Sequence, residues 1–273
     1  MKKRYTQNEL REYFDEALNI FGDFIDSDIT RNSVKLSFFT EENAIMKYEE
    51  MCRDFPQYLS EPYRSEGYFK SIGASAFVNG NKSGVLVNAD TDLTLGEVLQ
   101  MFLHEIAHLF CTRNEVVGGC FFEKYCMGSG IEDGMINAGY AIWREAIADI
   151  VADAAMSDYT TMNLPIVHDE VMRLYSELSF RNPNSKKAMS LIIAYIMISS
   201  EIAGTRDWSK AKKAIHQNFK FDDPAVITLL EMVFKKLHTQ PFWEITPEFI
   251  TTLGELYLSL ITGKTLKLIA TRT

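Results

Sequence analysis

A predicted helix with a mostly apolar surface constrains the fold of this chain more than any other segment. Apolar side chains recur in it at helical spacing, which is typical of a largely buried helix: Leu95, Val98, Leu99, Phe102, Leu103, Ile106, Leu109 and Phe110. His104, Glu105 and His108 interrupt this surface. Because burying such groups without partners is costly, metal ligation or a hydrogen-bond network has to compensate for it.

The beginning of this helix is well defined by the sequence. Thr94 and Glu97 have the spacing of a capping box, with Thr94 as the N-cap residue and Glu97 at the third helical position. Leu93 and Val98 occupy the two positions of a hydrophobic staple. The sequence therefore predicts that the helix begins directly after Thr94.

The polar residues of the helix have the pattern His-Glu-x-x-His. Two histidines four residues apart lie on one face of a helix, so both can bind one metal ion. Glu105 points to the side of this pair, where a carboxylate can take a proton from a metal-bound water. This arrangement favours the chemistry of a zinc hydrolase over a chance cluster of polar residues.

A catalytic zinc site needs a third protein ligand. The metzincin signature would supply a glycine and a third histidine downstream, but Cys111 and Asn114 stand at those positions. A second predicted helix, residues 140–153, carries Glu145, Asp149 and Asp153 one turn apart. Such a stripe is often a solvated helix face, but the apolar residues beside it and the need for a ligand favour a role at the metal.

These two segments resemble the gluzincin branch of the zincin metallopeptidases, which includes thermolysin. The resemblance rests on the sequence from His104 to His108 and on the Glu-x-x-x-Asp pair at Glu145 and Asp149. It implies a zincin-like fold, one catalytic Zn²⁺ and Glu145 as the third zinc ligand. It also implies that Asp149 hydrogen-bonds a zinc-binding histidine, which fixes its tautomer and direction.

The interval between His108 and Glu145 is longer than in thermolysin-like enzymes. Residues 113–139 contain six glycines: Gly118, Gly119, Gly128, Gly130, Gly134 and Gly139. Such a segment is typical of an ordered but mobile loop that folds over a cleft, or of a surface excursion with no role. Glu132 and Asp133 lie within it and are rival third ligands.

The mechanism that these residues suggest is metal-assisted amide hydrolysis. Zinc held by His104, His108 and Glu145 lowers the pKa of its bound water, and Glu105 passes the proton to the leaving amine. By resemblance, a tyrosine or histidine stabilises the oxyanion. Tyr140 is favoured because it lies just before Glu145 on the same predicted helix, and the other available donors are His168, His216 and His238.

The segments before the first motif predict a small sheet. The chain opens with an amphipathic helix within its first 25 residues, and a strand over residues 34–38 precedes a helix from Thr40 to Arg53. Residues 75–79 and 84–89 follow as a hairpin. By resemblance, residues 84–89 are a candidate edge strand that pairs with substrate, with an ordinary sheet strand as the alternative.

The part of the chain after residue 160 shows only helical patterns. Its most apolar run, residues 188–200, is too short for a membrane span and is interpreted as a buried helix. We therefore predict an α+β, mostly helical fold in one metallopeptidase unit, residues 1–273. It comprises an N-terminal lobe (1–112) with a small mixed sheet, the insertion (113–139) and an all-helical lobe (140–273).

Composition limits the choice of partners and compartment. A net charge of −9 argues against nucleic acid and anionic membranes as partners. The cysteines, Cys52, Cys111, Cys120 and Cys126, lack the spacing of a structural zinc site, and acidic residues interrupt the first helix, so no secretion signal is predicted. These observations predict free thiols, with Cys111 packed in the core, and a cytoplasmic protein.

The sequence thus predicts a zinc metallopeptidase that acts on a peptide or protein. One alternative is a non-hydrolytic module that keeps the zincin fold for binding or regulation, which the presence of Glu105 disfavours. Another is a cytoplasmic regulatory peptidase that cleaves a single protein. Substrate, cleavage preference and oligomeric state are not indicated by any pattern.

Overall fold

The structure, a computed structural model, describes residues 1–59, 66–70, 72–114, 131–156 and 246–262 and scattered helical positions between residues 188 and 236. The described part is α+β and mostly helical, with one three-stranded mixed sheet, as predicted. The chain divides into two compact units. One comprises Met1–Val116 and Val151–Thr160, and the other comprises Val117–Ile150 and Thr161–Thr273.

Two long helices of the first unit pack against each other. Helix α1 spans Gln7–Phe24 and begins with a capping box formed by Thr6 and Glu9, and α4 spans Leu95–Arg113. The rings of Phe14 and Phe102 meet edge to face at 5.3 Å between centroids. Such buried aromatic contacts stabilise the helix pair and give α4 a fixed apolar side.

The sheet of this unit contains β1 (Val34–Phe39), β2 (Ala74–Asn79) and β3 (Lys82–Asn88). Its order is β1-β3-β2, with β3 parallel to β1 and antiparallel to β2. The middle strand, β3, is hydrogen-bonded on both sides and buried along most of its length. A strand paired on both sides has no free backbone groups for a substrate, so the prediction that residues 84–89 form an edge strand is wrong.

The hairpin between β2 and β3 is tighter than the sequence suggests. Asn79 pairs directly with Lys82, so the turn consists of Gly80 and Asn81, and Gly80 has a φ of 55°. Gly84 lies inside β3, where an added Cβ would come within 2.8 Å of the Phe55 ring. A glycine is therefore required at position 84 because β3 packs closely against the Phe55 ring.

Two short helices form a separate core with the sheet. Helix α2 (Ala44–Cys52) begins four residues later than predicted because residues 40–43 form a turn, in which the Thr40 amide donates to Asn43 Oδ1. Helix α3 (Glu66–Phe69) is a single turn. This core contains residues of α2, of α3, of each of the three strands and of the segment after α2: Phe39, Ala44, Tyr48, Met51, Cys52, Phe55, Phe69, Phe77 and Leu86.

The second predicted helix is longer than expected. Helix α5 spans Ile131–Met156, so residues 131–139 of the glycine-rich insertion are helical, whereas residues 115–130 lie outside the described part. Gly139 and Gly254 lie where α5 crosses α6 (Pro247–Thr262), and an added Cβ on Gly139 would overlap the Ile250 carbonyl oxygen. These glycines allow two helix backbones to touch and do not mark a loop.

The helical positions described between residues 188 and 236 fit the predicted helical lobe. Ala188, Ile192 and Ile196 are helical and at most 1% exposed. These described positions agree with the prediction of buried helical residues there. Within the described residues, every helix is too short or too polar to cross a bilayer.

Candidate metal centre

The two histidines of the motif are positioned by a helix with a firmly capped start. The Thr94 amide donates to Glu97 Oε2 at 2.7 Å, and the Glu97 amide donates to Thr94 Oγ1 at 3.3 Å, which confirms the predicted capping box. Lys2 Nζ lies 2.7 Å from Glu97 Oε1. Hydrogen bonds from Lys2 and from the Thr94 backbone lower the pKa of Glu97 below its ordinary value.

The imidazoles converge on one point. His104 Nε2 and His108 Nε2 lie 3.0 Å apart, and the ring planes are inclined at 85°. His108 is 8% exposed and His104 is partly exposed. Two ring nitrogens this close satisfy each other either through one imidazole N–H or through a shared cation. The predicted same-face arrangement of the histidines is therefore present.

Glu145 completes a group of three ligand residues. One ligand atom from each of His104, His108 and Glu145 lies within 4.8 Å of the other two. The set of two imidazoles and one carboxylate suits zinc, and tetrahedral coordination places neighbouring ligand nitrogens about 3.3 Å apart. The observed 3.0 Å separation of the Nε2 atoms is close to this value. The three residues therefore fit a metal ion in their chemistry, and the two imidazoles also fit one in their spacing.

Glu105 is buried at the side of the histidine pair. It is 7% exposed, although its neighbour His104 is partly open to solvent. Consecutive helical residues point about 100° apart, so Glu105 does not share the face of the two imidazoles. It is also outside the group of three ligand residues found in the described part of the chain. Glu105 is therefore not one of the grouped candidate ligands, and its proton-transfer role stays a prediction.

The rival third ligands lie far from Glu145 along α5. Asp133 precedes Glu145 by 12 residues, which corresponds to about 18 Å of helix, and it is not grouped with the histidines. Glu132 lies on the same helical turn, although its side chain is outside the described part. Among the described residues, Glu145 is therefore the carboxylate that completes the group.

The assignments of Asp149 and Tyr140 remain predictions. Asp149 follows Glu145 by one turn on α5 and is half-buried. Tyr140 is also half-buried, but five residues of helix turn it about 140° away from Glu145. The other oxyanion candidates, His168, His216 and His238, lie outside the described residues.

Cys111 follows His108 by one turn and belongs to the core. It is 1% exposed, and this burial raises the pKa of its thiol to about 12. Cys111 is also outside the group formed by His104, His108 and Glu145 in the described part of the chain. Cys111 and Cys52 are both buried, and neither forms a disulfide with a described cysteine, whereas Cys120 and Cys126 lie outside the described residues.

One contact near the site has no counterpart in the sequence analysis. Gln100 Nε2 donates to Asp153 Oδ1 at 2.7 Å, which joins α4 to the C-terminal part of α5. Asp153 belongs to the predicted acidic stripe, whereas Gln100 is not part of either motif. The signal was available, because Gln100 precedes His104 by four residues and so shares its helix face.

Comparisons of the chain with protein-family models, with curated proteins and with solved structures found no match. The interpretation of this centre therefore depends on the geometry of its own residues.

Proposed function

We propose that this protein is a zinc-dependent metallopeptidase with a gluzincin-like active site. The observation that carries the proposal is the grouping of His104, His108 and Glu145, whose ligand atoms lie within 4.8 Å of one another. Two histidines and a glutamate are the ligand set of thermolysin-type catalytic zinc. A zincin-like arrangement of helix and sheet is part of the same proposal.

In this proposal each residue of the chain has a distinct task. His104, His108 and Glu145 would hold zinc, which when bound would lower the pKa of water towards neutrality and polarise an amide carbonyl. The carboxylate of Glu105 accepts a proton as the water oxygen attacks the carbonyl carbon. Glu105 then donates this proton to the amide nitrogen as the carbon–nitrogen bond breaks. Glu105 is 7% exposed, so its carboxylate is largely shielded from bulk water.

The alternative of a non-hydrolytic binding module requires the same ligands but not Glu105. A protein that only binds metal has little need of a general base, whereas Glu105 stands directly after the first histidine of the motif. This favours an enzyme. The substrate we propose is a peptide or protein, and the place of action we propose is the reducing cytoplasm, where the buried thiols of Cys52 and Cys111 would stay reduced.

Cleavage of a peptide library tests this proposal. Protein stripped with a chelator should be inactive, and one equivalent of zinc should restore cleavage. Cleavage at many sites would indicate a broad peptidase, whereas cleavage confined to one protein would indicate the regulatory alternative. Zinc binding without hydrolysis of any peptide or protein would favour the binding module and contradict the proposal.

A further inference from the structure

A hydrogen bond connects the histidine-bearing helix to the carboxylate-bearing helix outside the ligand group. Gln100 Nε2 donates to Asp153 Oδ1 at 2.7 Å, and both side chains are half-buried. Neither residue belongs to the group formed by His104, His108 and Glu145. Their role is therefore separate from ligation.

The spacing of this bond relative to the ligands is the same on both helices. On α4, Gln100 precedes His108 by eight residues, and on α5, Asp153 follows Glu145 by eight residues. Eight residues correspond to about 12 Å of helix. Two antiparallel helices that touch at two places need the same number of residues between those places on each helix. Here one place is the bond from Gln100 to Asp153, and the other is the grouping of His108 with Glu145.

We propose that Gln100 and Asp153 are a positioning pair that fixes the register of α5 against α4 and so holds Glu145 at the histidines. A shift of α5 by one residue would rotate the Glu145 side chain by about 100° and remove it from the ligand group. The same shift would break the bond between Gln100 and Asp153. A register of α5 that misplaces Glu145 therefore also loses this hydrogen bond and is less stable.

The chemical types of the two residues suit this task. A carboxylate that accepts from an amide forms a stronger hydrogen bond than two neutral groups do. Half-burial excludes part of the competing water, which strengthens the bond further. The Gln100 amide donates to Asp153 without carrying a charge. A cationic donor at this position could instead pair with the Glu145 carboxylate and compete with zinc for it.

Zinc affinity measures the positioning role directly. The full-length protein is stripped of metal, and its affinity for zinc is measured by competition with a chromophoric chelator. Gln100→Ala and Asp153→Ala should each weaken zinc binding by about tenfold or more, the size of effect found for residues that support metal ligands. Gln57→Ala is the matched control, since Gln57 also donates a side-chain hydrogen bond, to the Val78 carbonyl oxygen, elsewhere in the same unit. It should leave zinc affinity unchanged.

An inverted pair separates positioning from general stability. Gln100→Glu alone places two carboxylates against each other and should weaken zinc binding. Adding Asp153→Asn turns the acceptor into a donor for the new carboxylate, so the double variant should recover zinc affinity to within about threefold of wild type. Recovery would support the positioning role, and it would also show that the fold tolerates changes at both sites.

Two outcomes would overturn this proposal in different ways. It rests on the proposed function, so a wild-type protein that binds no zinc would overturn both. Normal zinc binding by the wild type, with unchanged affinity in Gln100→Ala and Asp153→Ala, would overturn the positioning pair alone. A double variant that binds zinc no better than Gln100→Glu would also count against the pair.

Discussion

The Nε2 atoms of His104 and His108 lie 3.0 Å apart on neighbouring turns of one helix. Two lone pairs this close repel each other unless a proton or a metal ion lies between them. The two ring nitrogens therefore face one position that a metal ion can occupy. The contact links the packing of α4 to the chemistry proposed for the site.

Glu105→Gln should separate metal binding from catalysis. Glutamine has nearly the same shape but cannot accept the proton from water, so peptide hydrolysis should fall by about 10²- to 10⁴-fold. Zinc stoichiometry should stay the same, since Glu105 is outside the ligand group. Turnover and metal content are measured on the same preparation. Undiminished turnover would remove Glu105 from the mechanism.

The helix crossing at Gly139 and Gly254 predicts opposite effects for two similar substitutions. Gly139→Ala should destabilise the protein by about 1–3 kcal/mol or more, because the methyl group would overlap the Ile250 backbone. Gly134→Ala, on the same helix, has nothing within 4 Å of the added methyl group. It should stabilise the protein by roughly 0.5–1 kcal/mol, the difference between glycine and alanine in a helix. Chemical denaturation measures both, and equal effects would contradict this crossing.

The capped start of α4 should make stability depend on pH. The pKa of Glu97 is lowered in the folded protein, chiefly by its hydrogen bond from Lys2. A lowered pKa stabilises the fold above the unfolded value of 4.5, and this stabilisation is lost as the pH falls below it. Wild type should therefore be more stable than Glu97→Gln at pH 7, and the difference should shrink below pH 4.5.

Lys2→Ala provides the matched test of that dependence. It removes the main cause of the lowered pKa but keeps the Glu97 carboxylate and its contact with Thr94. The pH dependence of the free energy of unfolding, measured by denaturation between pH 3 and pH 7 in wild type and both variants, should weaken in Lys2→Ala. A full pH dependence in that variant would assign the effect to another group.

The buried thiols should resist modification in the folded state. Cys52 and Cys111 are at most 1% exposed, and the pKa of Cys111 is raised to about 12. In a variant that carries Cys120→Ser and Cys126→Ser, a thiol reagent at pH 8 should label neither remaining cysteine until denaturant is added. Rapid labelling of Cys111 in the native protein would contradict its placement in the core.

The sequence predicted local features well because their causes are local. The Thr94–Glu97 capping box and the shared face of His104 and His108 depend only on residue type and helical spacing, and both are present. The edge strand was mispredicted because strand order is decided by long-range pairing, and no local pattern shows that β1 pairs with β3.

Glycine caused another error. Gly139 was assigned to a mobile loop or surface excursion, but it lies in α5 and permits close packing against Ile250. A glycine that serves a turn and one that serves a close contact have the same local sequence signal. The bond from Gln100 to Asp153 was also missed, because residue pairing across helices depends on their register.

Zinc titration of the metal-free protein tests the central claim most directly. Wild type should bind one Zn²⁺ per chain, and Glu145→Ala should weaken that binding by more than about 100-fold, since it removes a ligand and not merely a supporting residue. Asp133→Ala, a carboxylate on the same helix, is the matched control and should bind zinc as wild type does. Unchanged affinity in Glu145→Ala, or no zinc binding by wild type, would contradict a metal centre formed by His104, His108 and Glu145.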